Sequence, residues 1–151
     1  MFRTINRRRR SGAAAIEFAI TCPIVFFLIF ATIVGGLGVF RYQETAALAR
    51  EGARWASVHG SEYATDYNVP APTPQDIFDK AIKPLVVALD PSRLTYSVTW
   101  NTTNDPLRVD EDVQEPVGNT VTVTVTYQWF PEMYLVGPYN LTSTSTAQML
   151  Y

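Results

Sequence analysis

At 151 residues, 47% of them apolar and with a formal charge of −2, the chain has room for one membrane helix and one small domain, and its composition is not that of a disordered protein. Five arginines, Arg3, Arg7, Arg8, Arg9 and Arg10, precede residue 13, and without them the side-chain charge falls from −2 to −7, which makes the remainder a poor candidate for a nucleic-acid interface. One cysteine, Cys22, and one histidine, His59, exclude an internal disulfide and a zinc site. No Ser-His-Asp set is in prospect either, so neither an enzyme nor a cofactor is expected.

The arginine block is followed by Gly12-Ala13-Ala14-Ala15-Ile16-Glu17-Phe18, and the 23 residues from Phe18 to Phe40 carry no charge. As a helix rising about 1.5 Å per residue they extend roughly 34 Å, enough to cross the hydrocarbon core of a bilayer. The arginines on one side, against Arg41 mixed with Glu44 on the other, predict a cytoplasmic N-terminus and an extracytoplasmic remainder. A secretory signal has a shorter apolar core, about 7 to 15 residues, with a small-residue cleavage site after it, and does not fit. Within the span Cys22 reads as a small apolar residue. Pro23 predicts a bend, because it lacks a donor and crowds the carbonyl of Ala19. Gly35, Gly36 and Gly38 mark a joint or a place of close helix approach.

Glu17 is the anomaly, since a carboxylate in a spanning helix is unfavourable by a few kcal/mol and needs a partner. A cut after Gly12 would give Ala13 a free ammonium one turn from Glu17, beside the positive end of the helix dipole, and would discard the arginines. Alternatively Glu17 lies among the headgroups of an uncut anchor. The residues alone leave both readings open.

From Arg41 to Val58 the pattern stays helical, predicting one helix that leaves the membrane as a stem. Ala46, Ala49, Ala53 and Ala56 form a narrow face for close packing, against a neighbouring subunit or the chain's own domain, and Glu51 and Arg54 are spaced to pair. Residues 59–73, with His59, Gly60, Pro70 and Pro72, read as a loop. Thr73-Pro74-Gln75-Asp76 is a helix start with a capping box. The amphipathic helix it opens is expected over 74–89, with Ile77, Phe78, Ala81, Ile82, Leu85 and Leu89 inward and Pro84 as a kink.

Three strands are expected next. Leu94 to Trp100 and Thr120 to Trp129 alternate strictly, and Tyr139 to Leu150 is a softer, threonine-rich third. Their threonine rows face water or a neighbouring subunit. Residues 102–118, with Asp105, Asp110, Glu111, Asp112 and Glu115, read as a solvated acidic loop. They match no EF-hand spacing, and no metal site is assigned. The fold class is therefore α+β, a long N-terminal transmembrane helix and stem followed by one helix on a three-stranded antiparallel sheet. The divisions are a basic leader at 1–12, span and stem at 13–58, and an extracytoplasmic domain at 59–151.

Gly12, Glu17 and Phe18, between a basic block and an apolar helix, resemble the processing site of type IVb prepilins. Arg10-Ser11-Gly12-Ala13-Ala14-Ala15-Ile16-Glu17-Phe18-Ala19, a proline-containing apolar run, and Ala49-Arg50-Glu51-Gly52-Ala53-Arg54-Trp55-Ala56-Ser57 are together similar to the TadE-like family of tight-adherence (Tad) pilus assembly proteins. The close likeness covers residues 8–58; beyond it only the layout is shared. The resemblance implies a membrane-bound prepilin peptidase that cuts after Gly12, leaving Ala13 as N-terminus and Glu17 as its amine partner. It also implies other pilin or pseudopilin subunits and Tad assembly proteins as partners in the membrane. Phe18 stands where major pilins have Tyr, which points to a minor pilin or pseudopilin. The competing expectation is an uncleaved, signal-anchored binding or adhesion protein.

Overall fold

The computed structural model describes residues 8–109, 116–132 and 137–151. Of the features read from the sequence, Arg3, Arg7 and the acidic residues Asp110, Glu111, Asp112 and Glu115 lie outside these. The elements are α1 (Arg8–Ser57), α2 (Ser61–Asp66), α3 (Pro74–Ile77), β1 (Leu94–Trp100), β2 (Leu107–Val109), β3 (Pro116–Gly118), β4 (Thr120–Trp129) and β5 (Tyr139–Gln148). Two compact units result, the first ending at Leu37 and the second running Gly38–Tyr151.

Among the described residues the first unit is helix alone. Ala13, Ala14 and Ala15 are strong helix formers, and the helix assignment continues through Pro23. Thr32 returns its hydroxyl to the carbonyl of Leu28 at 2.9 Å, so this polar group is satisfied within the helix.

In the second unit β1, β4 and β5 form an antiparallel sheet with β4 in the centre. The strict alternation of β4 decides which side is core: Val121, Val123, Val125 and Tyr127 are buried, while the threonines between them are half-exposed. On the other face Thr122, Thr124 and Thr126 each share a 2.9 Å hydroxyl hydrogen bond with Thr146, Thr144 and Thr142 of β5. Such pairs contribute a few tenths of a kcal/mol each and hold the register.

The α+β class is as expected, but the core has two helical contributors. Leu48, Ala49, Ala53 and Ala56 of the stem join Ile77, Ala81 and Ile82 against the valines of β4 and Leu94 and Val98 of β1. Small stem residues make this possible. A Cβ on Gly52 would lie 3.1 Å from Val123 and 3.2 Å from Ile82, tighter than ordinary contact.

Three local expectations are corrected. The helix expected over 74–89 begins with its Thr73–Asp76 capping box but widens to a π turn over Phe78–Ile82, tightens to a 3₁₀ turn over Lys83–Leu85, and ends there. Pro84 explains this, because its ring collides with the carbonyl four residues back and it has no N–H to continue the ladder. Leu85, expected inward, is consequently half-exposed, whereas Leu89 is buried in the bend that follows. The 59–73 segment is not all loop: α2 is closed by Asn68 at φ 50°, where asparagine is tolerated, and Val69 N–H bonds back to the carbonyl of Ala64. The 102–118 segment carries the paired strands β2 and β3.

Candidate functional site

Gly12, Ala13, Glu17 and Phe18 occupy consecutive turns at the start of α1, and all four are exposed. A side chain added at Gly12 would meet nothing within 4 Å. Ala13 and Glu17 are related by i,i+4, which puts them on one helix face about 5–6 Å apart at Cβ. An ammonium at Ala13 would therefore lie within reach of the Glu17 carboxylate. Gly12 weakens the helix at the bond before Ala13 by about 1 kcal/mol relative to alanine, which favours local unwinding there.

After this motif the helix exposes large apolar side chains all round. Its most apolar 18-residue window has a mean hydropathy of 2.5 and none of that window is buried. Phe18, Phe27 and Leu28 are each more than 60% exposed. Such a continuous apolar surface is unfavourable in water and is solvated by a bilayer. This is one N-terminal helix suited to a single membrane pass.

At the start of the second unit Arg41 and Glu44, read from the sequence only as flanking charges, grip the chain that follows the broken helix. Glu44 Oε1 accepts from the N–H of Val87 at 3.0 Å and of Ala88 at 2.9 Å. Arg41 donates through Nη1 to the Ala88 carbonyl at 2.9 Å and through Nη2 to Glu132 at 3.0 Å. Burial pushes the Glu132 carboxyl up, but its own backbone N–H and the Arg41 guanidinium outweigh this and leave it below the ordinary carboxylate range. The close approach expected near Gly38 is made by Trp129, whose ring lies 2.7 Å from where a Cβ would be; Gly35 and Gly36 meet nothing within 4 Å. The signal for this joint was a mixed-charge pair at i,i+3 just after the apolar run, uninterpretable without its distant partners.

Ala46, Ala49, Ala53 and Ala56 are all buried within the second unit. Glu51 and Arg54, off that face, form the expected exposed pair, with Arg54 Nε donating to Glu51 Oε2 at 3.0 Å. The last turn of the stem opens on a cleft of about 400 Å³ lined by Trp55, His59, Tyr63, Pro70, Pro72 and Lys80 among others. Trp55 and His59 stack at 4.0 Å and 7°, and Tyr63 continues the row. His59 Nδ1 donates to the Trp55 carbonyl at 2.8 Å, so the chain's single histidine closes the stem. Residues 149–151 tie that end down: Leu150 N–H bonds the Ser57 carbonyl at 2.8 Å, and the Tyr151 hydroxyl bonds Asp66, which pushes its pKa up to about 12. In the described part of the acidic segment, Asp105 is held by the hydroxyls of Ser61 and Thr103.

A family model described as TadE-like protein matches residues 12–54. Over those residues the chain is similar to TadE-like proteins. The matched segment opens on Gly12 and takes in the Glu17 motif, the apolar helix and most of the stem, the same residues from which the resemblance was drawn. The sheet lies outside it. No curated protein and no solved structure matches the chain.

Proposed function

We propose that this chain is a minor pilin or pseudopilin of a Tad-type pilus assembly system, a structural subunit that a prepilin peptidase cuts after Gly12. The single observation that carries the reading is that the TadE-like match begins at Gly12 and runs along a helix whose apolar surface is uncovered. In this account the arginine leader orients the chain with its N-terminus in the cytoplasm and its sheet unit outside the cytoplasmic membrane. The peptidase then removes the leader, and Ala13 supplies the ammonium that neutralises Glu17. With the charge compensated, the helix is stable in lipid and packs among the helices of other pilin or pseudopilin subunits.

Substitution tests the pairing. A Glu17→Ala chain expressed with its assembly system is expected to be cut normally but to enter filaments poorly. Normal piliation with that variant contradicts the pairing role.

One observation favours a second reading. The aromatic cleft at the top of the stem, with Trp55, His59 and Tyr63 beside Lys80 and two prolines, has the size and lining of a small-ligand site. That suits an uncleaved, signal-anchored binding protein. Retention of the arginine leader in the membrane form would select this alternative.

A further inference from the structure

The end of the sheet unit at which the stem begins carries a group of exposed apolar and aromatic side chains. Val87 is 88% exposed, and Leu85, Tyr139, Tyr42, Val39 and Phe40 are each between 44% and 63% exposed. Part of this end is tied together by specific contacts. Glu44 and Arg41 hold the backbone of Val87 and Ala88, Trp129 lies against Gly38, and Trp129 and Tyr139 are 6.4 Å apart between ring centres. At the far end of the stem, about 30 Å away by helix rise, the exposed Leu150 and Tyr67 stand instead among the carboxylates Glu62, Asp66 and Asp105.

The uncharged run ends at Phe40, so Arg41 marks where hydrocarbon gives way to headgroups once the helix is inserted. Whatever is hydrogen-bonded to Arg41 and Glu44 shares that depth. This explains why an almost fully exposed valine is presented beside two charged side chains, and why the half-exposed Tyr139 stands at the same end of the sheet, paired with Trp129: an amphipathic ring is favoured at the headgroup level. We propose that this end of the unit, the 85–88 turn with Trp129 and Tyr139, is a phospholipid-contacting surface that seats on the leaflet from which α1 emerges. The inference rests on the membrane-insertion reading. It gives Arg41 and Glu44 a purpose, namely to present the apolar turn to the lipid surface at a fixed level, so that extraction of the subunit must also peel this turn away.

Site-directed spin labelling of the full chain in phosphatidylcholine–phosphatidylglycerol vesicles tests it. On a Cys22→Ser background, single labels are placed by Val87→Cys, Ile29→Cys and Glu62→Cys, and collision rates with oxygen and with a water-soluble nickel chelate are measured. Val87 is so exposed that its replacement removes no packing. The Val87 label is expected to gain oxygen collisions and lose nickel collisions relative to Glu62, at about the level of the boundary between headgroups and acyl chains. Ile29 should be deeper still. If the Val87 label is as open to nickel as Glu62 while Ile29 is buried, the lipid-contact surface is refuted and the membrane reading stands. Loss of both nickel and oxygen collisions at Val87, the mark of burial against protein, also refutes it. An Ile29 label open to nickel overturns both readings.

Discussion

The two stretches of α1 on either side of Gly38 are one secondary structure coded in opposite ways. Before it the large side chains Ile16, Phe18, Phe27 and Leu28 point outward and are exposed; after it Ala49, Ala53 and Ala56 point inward and are buried. Lipid accepts bulky apolar groups on every side, so the first stretch needs no face. A sheet accepts a helix only where the helix is narrow, so the stem needs one, and Gly52 against Val123 and Ile82 is where it is narrowest. Helical sequence is thus not enough to tell a span from a stem; the size of the residue at each face position does so.

The contrast can be broken most severely in the core that the stem closes. Ile82→Ala removes a fully buried side chain and should lower the stability of the sheet unit by about 2–5 kcal/mol, read as a shift in its urea midpoint, whereas Phe27→Ala should leave that midpoint unchanged. Overfilling the narrow face is the next largest effect. Ala53→Leu should cost about 1–3 kcal/mol by the same measurement, and an unchanged midpoint would mean that the stem does not pack as closely as Ala53 implies. Glu44→Ala is milder, since water can replace part of what is lost, and should appear as faster amide exchange at Val87 and Ala88 specifically. The smallest effect is that of pH. The folded Glu132 carboxyl lies below its ordinary value of 4.5, so its contribution is fully present above that pH and is lost as the pH falls through the lowered value. The fall of the urea midpoint on acidification below about 4.5 should therefore be smaller in Glu132→Gln than in the native chain.

Legibility from sequence followed periodicity. Thr120 to Trp129 alternates so strictly that strand, buried face and threonine face are all readable, and the Thr73–Asp76 box fixes a helix start to the residue. What was not legible depends on partners distant in the chain. Arg41 and Glu44 acquire their roles only when residues 87, 88 and 132 arrive beside them. The stem alanines could not reveal which surface covers them, because small residues suit a neighbouring helix and a β-sheet equally well. The 59–73 segment hid α2 behind its prolines and glycine, although Asn68 before Val69-Pro70 was a usable stop signal. At the proposed processing site the position is reversed. Gly12 and Glu17 are conspicuous in sequence, and an exposed helical turn adds to them only that Ala13 and Glu17 share a face.

The account depends on a carboxylate in lipid that acquires its counter-charge by proteolysis. Its most direct test is the intact mass of the full chain recovered from membranes of cells that also express a prepilin peptidase. A polypeptide beginning at Ala13 is the predicted result; one that still carries Met1 and the arginine leader contradicts it.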